Sequence, residues 1–144
     1  MKKIFILLTV LALLLSVTAT AEEGTDAIAW GEYGQVQLTE VTEWRDGLPY
    51  QVDGEPEGKW MLVIFTILDG GEFPTDALEL ADEILKLDEF AVAKKSANGA
   101  TLNISTGSIV LTGTMAFYFD VPADYDASQA VVKVNDAEVI LPAA

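Results

Sequence analysis

Three aspartates that follow an alternating apolar segment form the most compact group of potential metal ligands in the sequence. Asp120, Asp124 and Asp126 belong to the stretch Asp-Val-Pro-Ala-Asp-Tyr-Asp. Carboxylate oxygens are the ligands that Ca²⁺ prefers, but this spacing is not that of an EF-hand loop. Because aspartate also initiates and caps turns, turn formation is the alternative, and the spacing favours it. A calcium site at these three residues is the weaker hypothesis.

Two tryptophans in polar surroundings form a second group with possible binding chemistry. Trp30 and Trp44 have glycine and charged residues close by, which predicts partial exposure of their indole rings. A flat aromatic face can stack on a sugar ring, so these residues suggest a carbohydrate site. The alternative, which is favoured, is that each ring fills one end of a small core, because an aromatic side chain buries about 150–250 Å². Trp60 lies in a strongly apolar segment and is predicted to be core.

The other ionisable groups are mostly carboxylates, and this limits the chemistry available to the chain. There are 23 Asp and Glu against 8 Lys and Arg, with no His and no Cys, and the net charge is −15. The common zinc and haem sites, cysteine nucleophiles, Ser-His-Asp triads and disulfides are therefore excluded. Nucleic acid is not expected as a partner, because phosphates require a basic surface. Paired carboxylates can hydrolyse glycosides, but solvated acids explain the composition more simply, and no catalytic residue is predicted.

The N-terminal 21 residues have the features of a secretory signal peptide. Lys2 and Lys3 precede the apolar run Ile4 to Val17, and Ala19-Thr20-Ala21 supplies a small-x-small cleavage pattern. The run is shorter than the roughly 20 residues that span a bilayer, which argues against a membrane anchor. We therefore expect a secreted protein, extracellular or in the cell envelope, with no membrane insertion after cleavage.

The remaining chain predicts one all-β domain. Residues 22–34 are predicted to be a flexible lead-in and residues 35–144 the domain. Strands are expected over Gln35–Thr42, Trp60–Leu68 and Ser108–Val121, because apolar residues recur there with period two or continuously. Trp60–Leu68 is apolar on both alternating faces, so it is predicted to be the central strand. A loop is expected over Asp46–Gly58, where glycine and proline are frequent.

The connections between these strands give three further predictions. The apolar spacing within Thr75–Leu87 predicts a short helix that covers one face of the Trp60–Leu68 strand. Phe90–Ser105 is predicted to be a hairpin with the loop Ala97–Gly99, pairing Val92 with Ile104. Gln129–Leu141 is predicted to be a hairpin about Asn135-Asp136. The expected buried residues are Leu62, Ile64, Leu102, Ile104, Met115, Phe117 and Phe119.

Two segments resemble a known family. Gly58 to Ile67 (Gly-Lys-Trp-Met-Leu-Val-Ile-Phe-Thr-Ile) resembles a strand of secreted bacterial immunoglobulin-like domains of the immunoprotective extracellular antigen superfamily, which includes uncharacterised domains of surface lipoproteins. Leu111 to Pro122 is similar to that family's Gly-x-φ-x-Phe-x-Val-Pro strand, where φ is an apolar residue. Residues 69–72, Asp-Gly-Gly-Glu, depart from its Asn-rich loop. The resemblance implies an Ig-like fold and a secreted or surface location, and it implies no catalytic residue.

Together these observations predict an Ig-like antiparallel β-sandwich with one short helix after the central strand. The expected function is that of a secreted, non-catalytic module that mediates protein–protein interaction at the cell surface or in the medium. A carbohydrate-binding module is the alternative, and a small carboxylate-based hydrolase is the third possibility. The expected partner is an unknown protein or a glycan, and no cofactor is expected apart from the weak calcium hypothesis.

Overall fold

The computed structural model describes residues 27–68 and 71–139, so the predicted signal peptide lies outside the described residues. The strands in these ranges are β1 (Ala27–Ala29), β2 (Gln35–Glu43), β3 (Lys59–Ile67), β4 (Phe73–Pro74), β5 (Leu85–Leu87), β6 (Lys94–Asn103), β7 (Ser108–Val121), β8 (Val132–Val134) and β9 (Ala137–Val139). Two short helices, α1 (Asp76–Glu79) and α2 (Ala81–Ile84), form the helical segment, and a 3-10 turn covers Ala127–Gln129.

A large antiparallel sheet forms the centre of the fold. Its strand order is β1-β2-β3-β7-β4. β3 and β4 pair with one edge of β7 and β6 pairs with the other, since β3 and β6 both align with the same residues of β7. β3 has apolar residues on both of its faces, and other parts of the chain cover both faces. Met61 to Phe65 are therefore all buried. The prediction that this strand is central is confirmed.

The second sheet is small and contains β5, β8 and β9 in that order. β8 and β9 form the hairpin predicted about Asn135-Asp136, with Val132 opposite Val139 and Lys133 opposite Glu138. Asn135 and Asp136 have φ of 53° and 64°, the left-handed conformations that a two-residue hairpin turn requires. The predicted all-β sandwich class is confirmed, with antiparallel pairing in both sheets.

One face of the large sheet packs against the helices and the small sheet, and we call this interior the major core. From β3 it contains Met61, Val63, Phe65 and Ile67, and from β7 Leu111, Met115, Phe117, Phe119 and Val121. The cover supplies Ala77, Ala81, Leu85, Leu87, Val132 and Val134. The helical segment therefore covers an apolar face of β3, as predicted. This cover stabilises the fold, because burying one such apolar side chain contributes about 1.5–3 kcal/mol relative to leaving it exposed to water.

The opposite face of the sheet packs against a loop, and we call this interior the minor core. It contains Tyr50, Trp60, Leu62, Ile64, Ala116 and Tyr118. Its cover is the irregular segment of residues 44–58, here called the strap, from which Trp44, Leu48 and Val52 pack onto it. The prediction of a loop over Asp46–Gly58 is confirmed, since no helix or strand is assigned there.

The predicted hairpin over Phe90–Ser105 is wrong. Residues 94–103 form one continuous strand, β6, which pairs with β7 rather than folding back on itself. Gly99 has a φ of 79° but lies at a register shift between Asn98 and Ala100, so it forms a bulge and not a turn. A Cβ at Gly99 would stand 2.3 Å from the carbonyl oxygen of Thr112, so this close approach needs glycine.

Two residues predicted to be buried are exposed because of this difference. Leu102 is 61% exposed and Ile104 87% exposed, whereas the other five residues of the predicted set are buried. The predicted lead-in is also wrong for residues 27–34. β1 pairs with β2, and Trp30 is completely buried in the major core. The glycine-rich composition of this segment did not indicate that it packs onto the sheet, because the packing depends on residues distant in the chain.

Candidate functional site

Two of the three aspartates predicted as calcium ligands accept hydrogen bonds from the protein itself. Asp120 accepts hydrogen bonds from the backbone N–H of Glu57 (2.8 Å) and of Gly58 (3.1 Å). The carboxylate of Asp126 accepts from the backbone and hydroxyl of Ser128, which caps the 3-10 turn and lowers its pKa. Asp124 is exposed. Among residues 27–68 and 71–139 no three acids converge on a common point that would hold a metal.

The two tryptophans predicted to bind a carbohydrate occupy different environments. Trp30 is fully buried, stacks against Phe117 at 5.3 Å between ring centroids, and donates its indole N–H to the carbonyl of Ala77 (2.7 Å). The expectation of partial exposure is wrong for Trp30, and the core interpretation holds. Trp44 is half-buried and packs on the minor core at the start of the strap. The structure therefore brings Trp44 close to Trp60, and not to Trp30.

A cleft of about 380 Å³ opens beside these two indoles, and we call it the Trp44 cleft. Its lining residues are Glu43, Trp44, Val52, Gly54, Glu55, Pro56, Gly58, Lys59 and Trp60. β2 and β3 supply its floor and the strap supplies its wall. Lys59 lies 3.3 Å from the carboxylate of Glu43. The Lys94 ammonium lies 5.4 Å from the centre of the Trp60 ring, close enough for a cation–π contact.

Three polar atoms near this cleft are buried without a hydrogen-bond partner among the described residues. They are Nε1 of Trp44, Nε1 of Trp60 and the hydroxyl oxygen of Tyr118. Burial raises the pKa of Tyr118 to about 12, and the neighbouring Tyr50 phenol adds to the increase. All three residues belong to the minor core or pack on it. Such orphaned groups are rare in protein interiors, and they are concentrated here on one face of the sheet.

A second cleft, of about 530 Å³, lies at the other end of the strap. It is lined by Glu57, Gly58, Phe90, Asp120, Val121, Pro122 and Ala123. Its central carboxylate, Asp120, is already bound to two backbone N–H groups. The geometry gives Asp120 a structural role, in which it fixes the end of the strap to the end of β7.

The far end of the β6–β7 pair projects past β3, which pairs with β7 only from Thr114 onward, and β4 reaches no further than Val110. We call residues 100–110 the arm. Ala100 pairs with Leu111 at its base, Leu102 pairs with Ile109 further out, and residues 104–107 form the turn. Apart from Asn103 and Val110, which are half-buried, every residue of the arm is exposed. Leu102, Ile104 and Ile109 are the large exposed apolar side chains of the described chain.

The arm is also unusual in its charge. The sequence contains no charged residue from Ser96 to Phe119, although the whole chain has a net charge of −15. Leu102 and Ile109 stand on the same side of the ribbon as Leu111, so they extend the apolar face of the major core into solvent. Sequence reasoning missed this surface because it placed Leu102 and Ile104 in the core. The long uncharged run was the signal that could have indicated it.

The other ion pairs and buried hydroxyls have structural roles. Lys95 reaches Glu79 (2.8 Å) and Asp82 (2.6 Å), and so connects β6 to both helices. Burial acts to lower the pKa of Lys95, but the hydrogen bonds and charges of these carboxylates outweigh it and raise the pKa. Tyr125 donates to Asp88, and burial together with this hydrogen bond raises the pKa of Tyr125. These contacts fasten the helices and the loop before β8 to the fold.

Comparison with known proteins gives no match to a family model, a curated protein or a solved structure. Among the described residues, no helix has the length and hydrophobicity needed to cross a membrane. The candidate functional surfaces are therefore defined by geometry alone. They are the exposed, uncharged arm and the Trp44 cleft.

Proposed function

We propose that this chain is a secreted, non-catalytic binding module that engages a partner protein through the arm. The observation that carries the proposal is the exposure of Leu102, Ile104 and Ile109 on a projecting ribbon without charges. Contiguous exposed apolar side chains mark interaction surfaces, because leaving them in water costs free energy that a partner recovers. The predicted resemblance to surface-exposed Ig-like domains is in keeping with this role.

The charge distribution supports a separate protein as the partner. Two copies of a chain with a net charge of −15 repel each other, which disfavours self-association. Anionic membranes and nucleic acids are repelled for the same reason. An uncharged apolar arm suits a groove or sheet edge of a partner whose contact surface is apolar and uncharged. The lack of His and Cys supports the non-catalytic assignment, because these residues are the commonest bases and nucleophiles.

Site-specific photo-cross-linking tests the arm. A photoreactive amino acid replaces Ile104, and the purified protein is exposed to the secreted and envelope proteins of the producing cells. Cross-linked proteins are identified by mass spectrometry, purified and titrated against the unmodified chain. We expect Leu102→Asp to weaken this binding at least about tenfold, since it places a charge in the apolar contact. Thr101→Asp is the matched control, because Thr101 is exposed on the opposite side of the same ribbon.

The outcomes separate the alternatives. Binding that Leu102→Asp and Thr101→Asp weaken equally would show that the apolar face of the arm is not the contact. If cross-links form only between copies of the chain, the arm mediates self-association, and the proposal of a separate partner protein is wrong. Secretion is tested independently by N-terminal sequencing of the mature protein, which we expect to begin at Glu22.

A further inference from the structure

We propose that the Trp44 cleft is a binding site for a neutral carbohydrate, separate from the arm. The cleft combines two indole rings with the apolar side chains of Val52 and Pro56, and places carboxylate and ammonium groups around them. This combination matches a sugar ring, which has apolar C–H faces and hydroxyl groups along its edge. Ligand sites generally have this form, with apolar walls and a few placed polar groups.

The orphaned indole nitrogens give independent support. Nε1 of Trp44 and Nε1 of Trp60 are buried and have no acceptor among the described residues, and Trp60 is only 7% exposed. An indole N–H can only donate, so the group that satisfies it must be an acceptor. A hydroxyl oxygen of a sugar is such an acceptor. Trp30 shows the contrast, because its N–H already has Ala77 as a partner.

The charges of the cleft select a neutral ligand. Glu43 and Glu55 line it, Lys59 is paired with Glu43, and Lys94 stands over the Trp60 ring. Sugar hydroxyls both donate and accept, so they can bind carboxylates and ammonium groups at the same time. A uronic acid would meet repulsion from both glutamates and from a chain of net charge −15. Neutral oligosaccharides are therefore the chemical class that fits.

The strap determines access to the indole nitrogens. It is held at Trp44, whose backbone N–H donates to the backbone carbonyl of Trp60 (2.9 Å), and at Tyr50, whose hydroxyl lies 2.9 Å from that of Thr114. At its end, Glu57 and Gly58 donate to Asp120. Between these points, residues 51–56 make no main-chain hydrogen bond with other described residues. This stretch can therefore adjust around a sugar without breaking the surrounding sheet, while Val52, Glu55 and Pro56 continue to line the cleft.

The indole N–H signals in an NMR spectrum test the proposal directly. The protein is titrated with neutral tetrasaccharides of glucose, xylose, mannose and N-acetylglucosamine up to about 10 mM, which covers weak sites with a Kd near 1 mM. We expect the Trp44 and Trp60 signals to shift with at least one of them. The Trp30 signal is the internal control and should stay in place. Tetragalacturonic acid, which is anionic, should cause no shift.

Variants distinguish the cleft from an indirect effect. Glu55→Gln should lower the affinity for the sugar at least about fivefold. Glu72 is exposed and lies outside the cleft, so Glu72→Gln should leave the affinity unchanged. The proposal is overturned if no neutral sugar moves the Trp44 and Trp60 signals, or if the anionic tetrasaccharide binds as well as the neutral ones. Leu102→Asp, which tests the arm, should leave this sugar titration unchanged. Failure of one proposal can therefore be distinguished from failure of the other.

Discussion

The two faces of the central sheet are built from the same strands but by different means. On the major-core face, β3 and β7 meet helices and a second sheet, and the one indole buried there has its hydrogen bond. On the minor-core face they meet only the strap, and three buried polar atoms lack partners among the described residues. Buried polar groups are nearly always hydrogen-bonded, so the unpaired ones on the minor-core face require an explanation. This difference is the basis for proposing a ligand site on the minor-core face.

The arm extends the same contrast along β7. Residues 115–121 of this strand are buried apart from Asp120, while residues 108–109 are exposed. The alternation of apolar residues is similar in both halves. What differs is the cover, because β4 and Thr75 reach β7 only at Leu111, Val110 and Ile109, and the rest of the arm is left exposed. The same apolar pattern therefore forms core in one half of β7 and an exposed apolar surface in the other, which is the basis of the proposal for the arm.

Removal of an aromatic ring from the major core should have the largest effect. Phe117 is fully buried and contacts both Trp30 and Phe65 through its ring. We expect Phe117→Ala to lower the free energy of unfolding by about 3–5 kcal/mol, because it loses transfer free energy and leaves a cavity. Urea denaturation followed by circular dichroism measures this loss. A loss below about 1 kcal/mol would contradict the description of this face as a close-packed core.

A matched pair of tryptophan substitutions compares the two faces directly. Trp30→Phe removes a similar volume to Trp60→Phe, but only the first breaks a hydrogen bond and leaves the carbonyl of Ala77 unpaired. We expect Trp30→Phe to cost about 1–3 kcal/mol more than Trp60→Phe, the penalty of an unsatisfied buried group. Equilibrium unfolding of both variants under identical conditions gives the difference. Equal losses would show that the two indoles are in equivalent environments.

Alkaline pH should destabilise the minor core through Tyr118. Its folded-state pKa is about 12 against an ordinary value of 10.0, so the folded state keeps a proton that the unfolded state releases. The stability associated with this group is complete below pH 10.0 and is lost as the pH rises towards 12. Each pKa unit corresponds to about 1.4 kcal/mol, so two units set an upper limit of about 2.8 kcal/mol. Solvent screening reduces the expected loss to the order of 1–2 kcal/mol.

Tyr118→Phe is the variant that isolates this effect. It removes the ionisable hydroxyl and keeps the ring, so stability should fall less steeply above pH 10.0 than in the parent chain. Tyr125, whose pKa is also raised by burial and by Asp88, remains in both proteins and acts as a common background. Thermal unfolding measured on both sides of pH 10.0 provides the comparison. Identical slopes for the two chains would rule out a contribution from Tyr118.

Substitution in the arm should have the smallest effect on stability. Leu102 is 61% exposed and lies outside both cores. We expect Leu102→Thr, which keeps a strand-forming side chain, to change the free energy of unfolding by no more than about 0.5 kcal/mol. Chemical denaturation checks this value. A loss of several kcal/mol would place Leu102 in the core after all, and would remove the basis for the arm as a binding surface.

Most of the strand pattern could be predicted because it depends on local alternation. β2, β3, β7 and the β8–β9 turn follow from apolar spacing and from two residues that tolerate positive φ. The hairpin about Asn98-Gly99 could not be predicted correctly. The same left-handed glycine serves a turn or a bulge, and the neighbouring strand decides which. Pairing of β6 with β7 over the whole length of β6 is a long-range choice that the local signal does not contain.

The candidate sites show the same division. The sequence grouped Trp30 with Trp44 as candidate binding residues and predicted Trp60 to be core, and Trp60 is indeed buried. Only the fold shows that the strap brings Trp44 to Trp60 and that Trp30 lies in the other core. The aspartates at 120, 124 and 126 are close in sequence, yet Asp120 and Asp126 accept hydrogen bonds from different residues and Asp124 is exposed.

By itself the sequence determined the acidic charge, the absence of histidine and cysteine, the all-β class and the doubly apolar central strand. These follow from composition and short-range periodicity, which do not depend on how distant segments meet. The tertiary structure decided which apolar residues are covered, which indole has a hydrogen-bond acceptor, and where the apolar pattern of β7 emerges into solvent. These depend on packing between residues far apart in the chain, and burial is a property of the neighbours rather than of the residue.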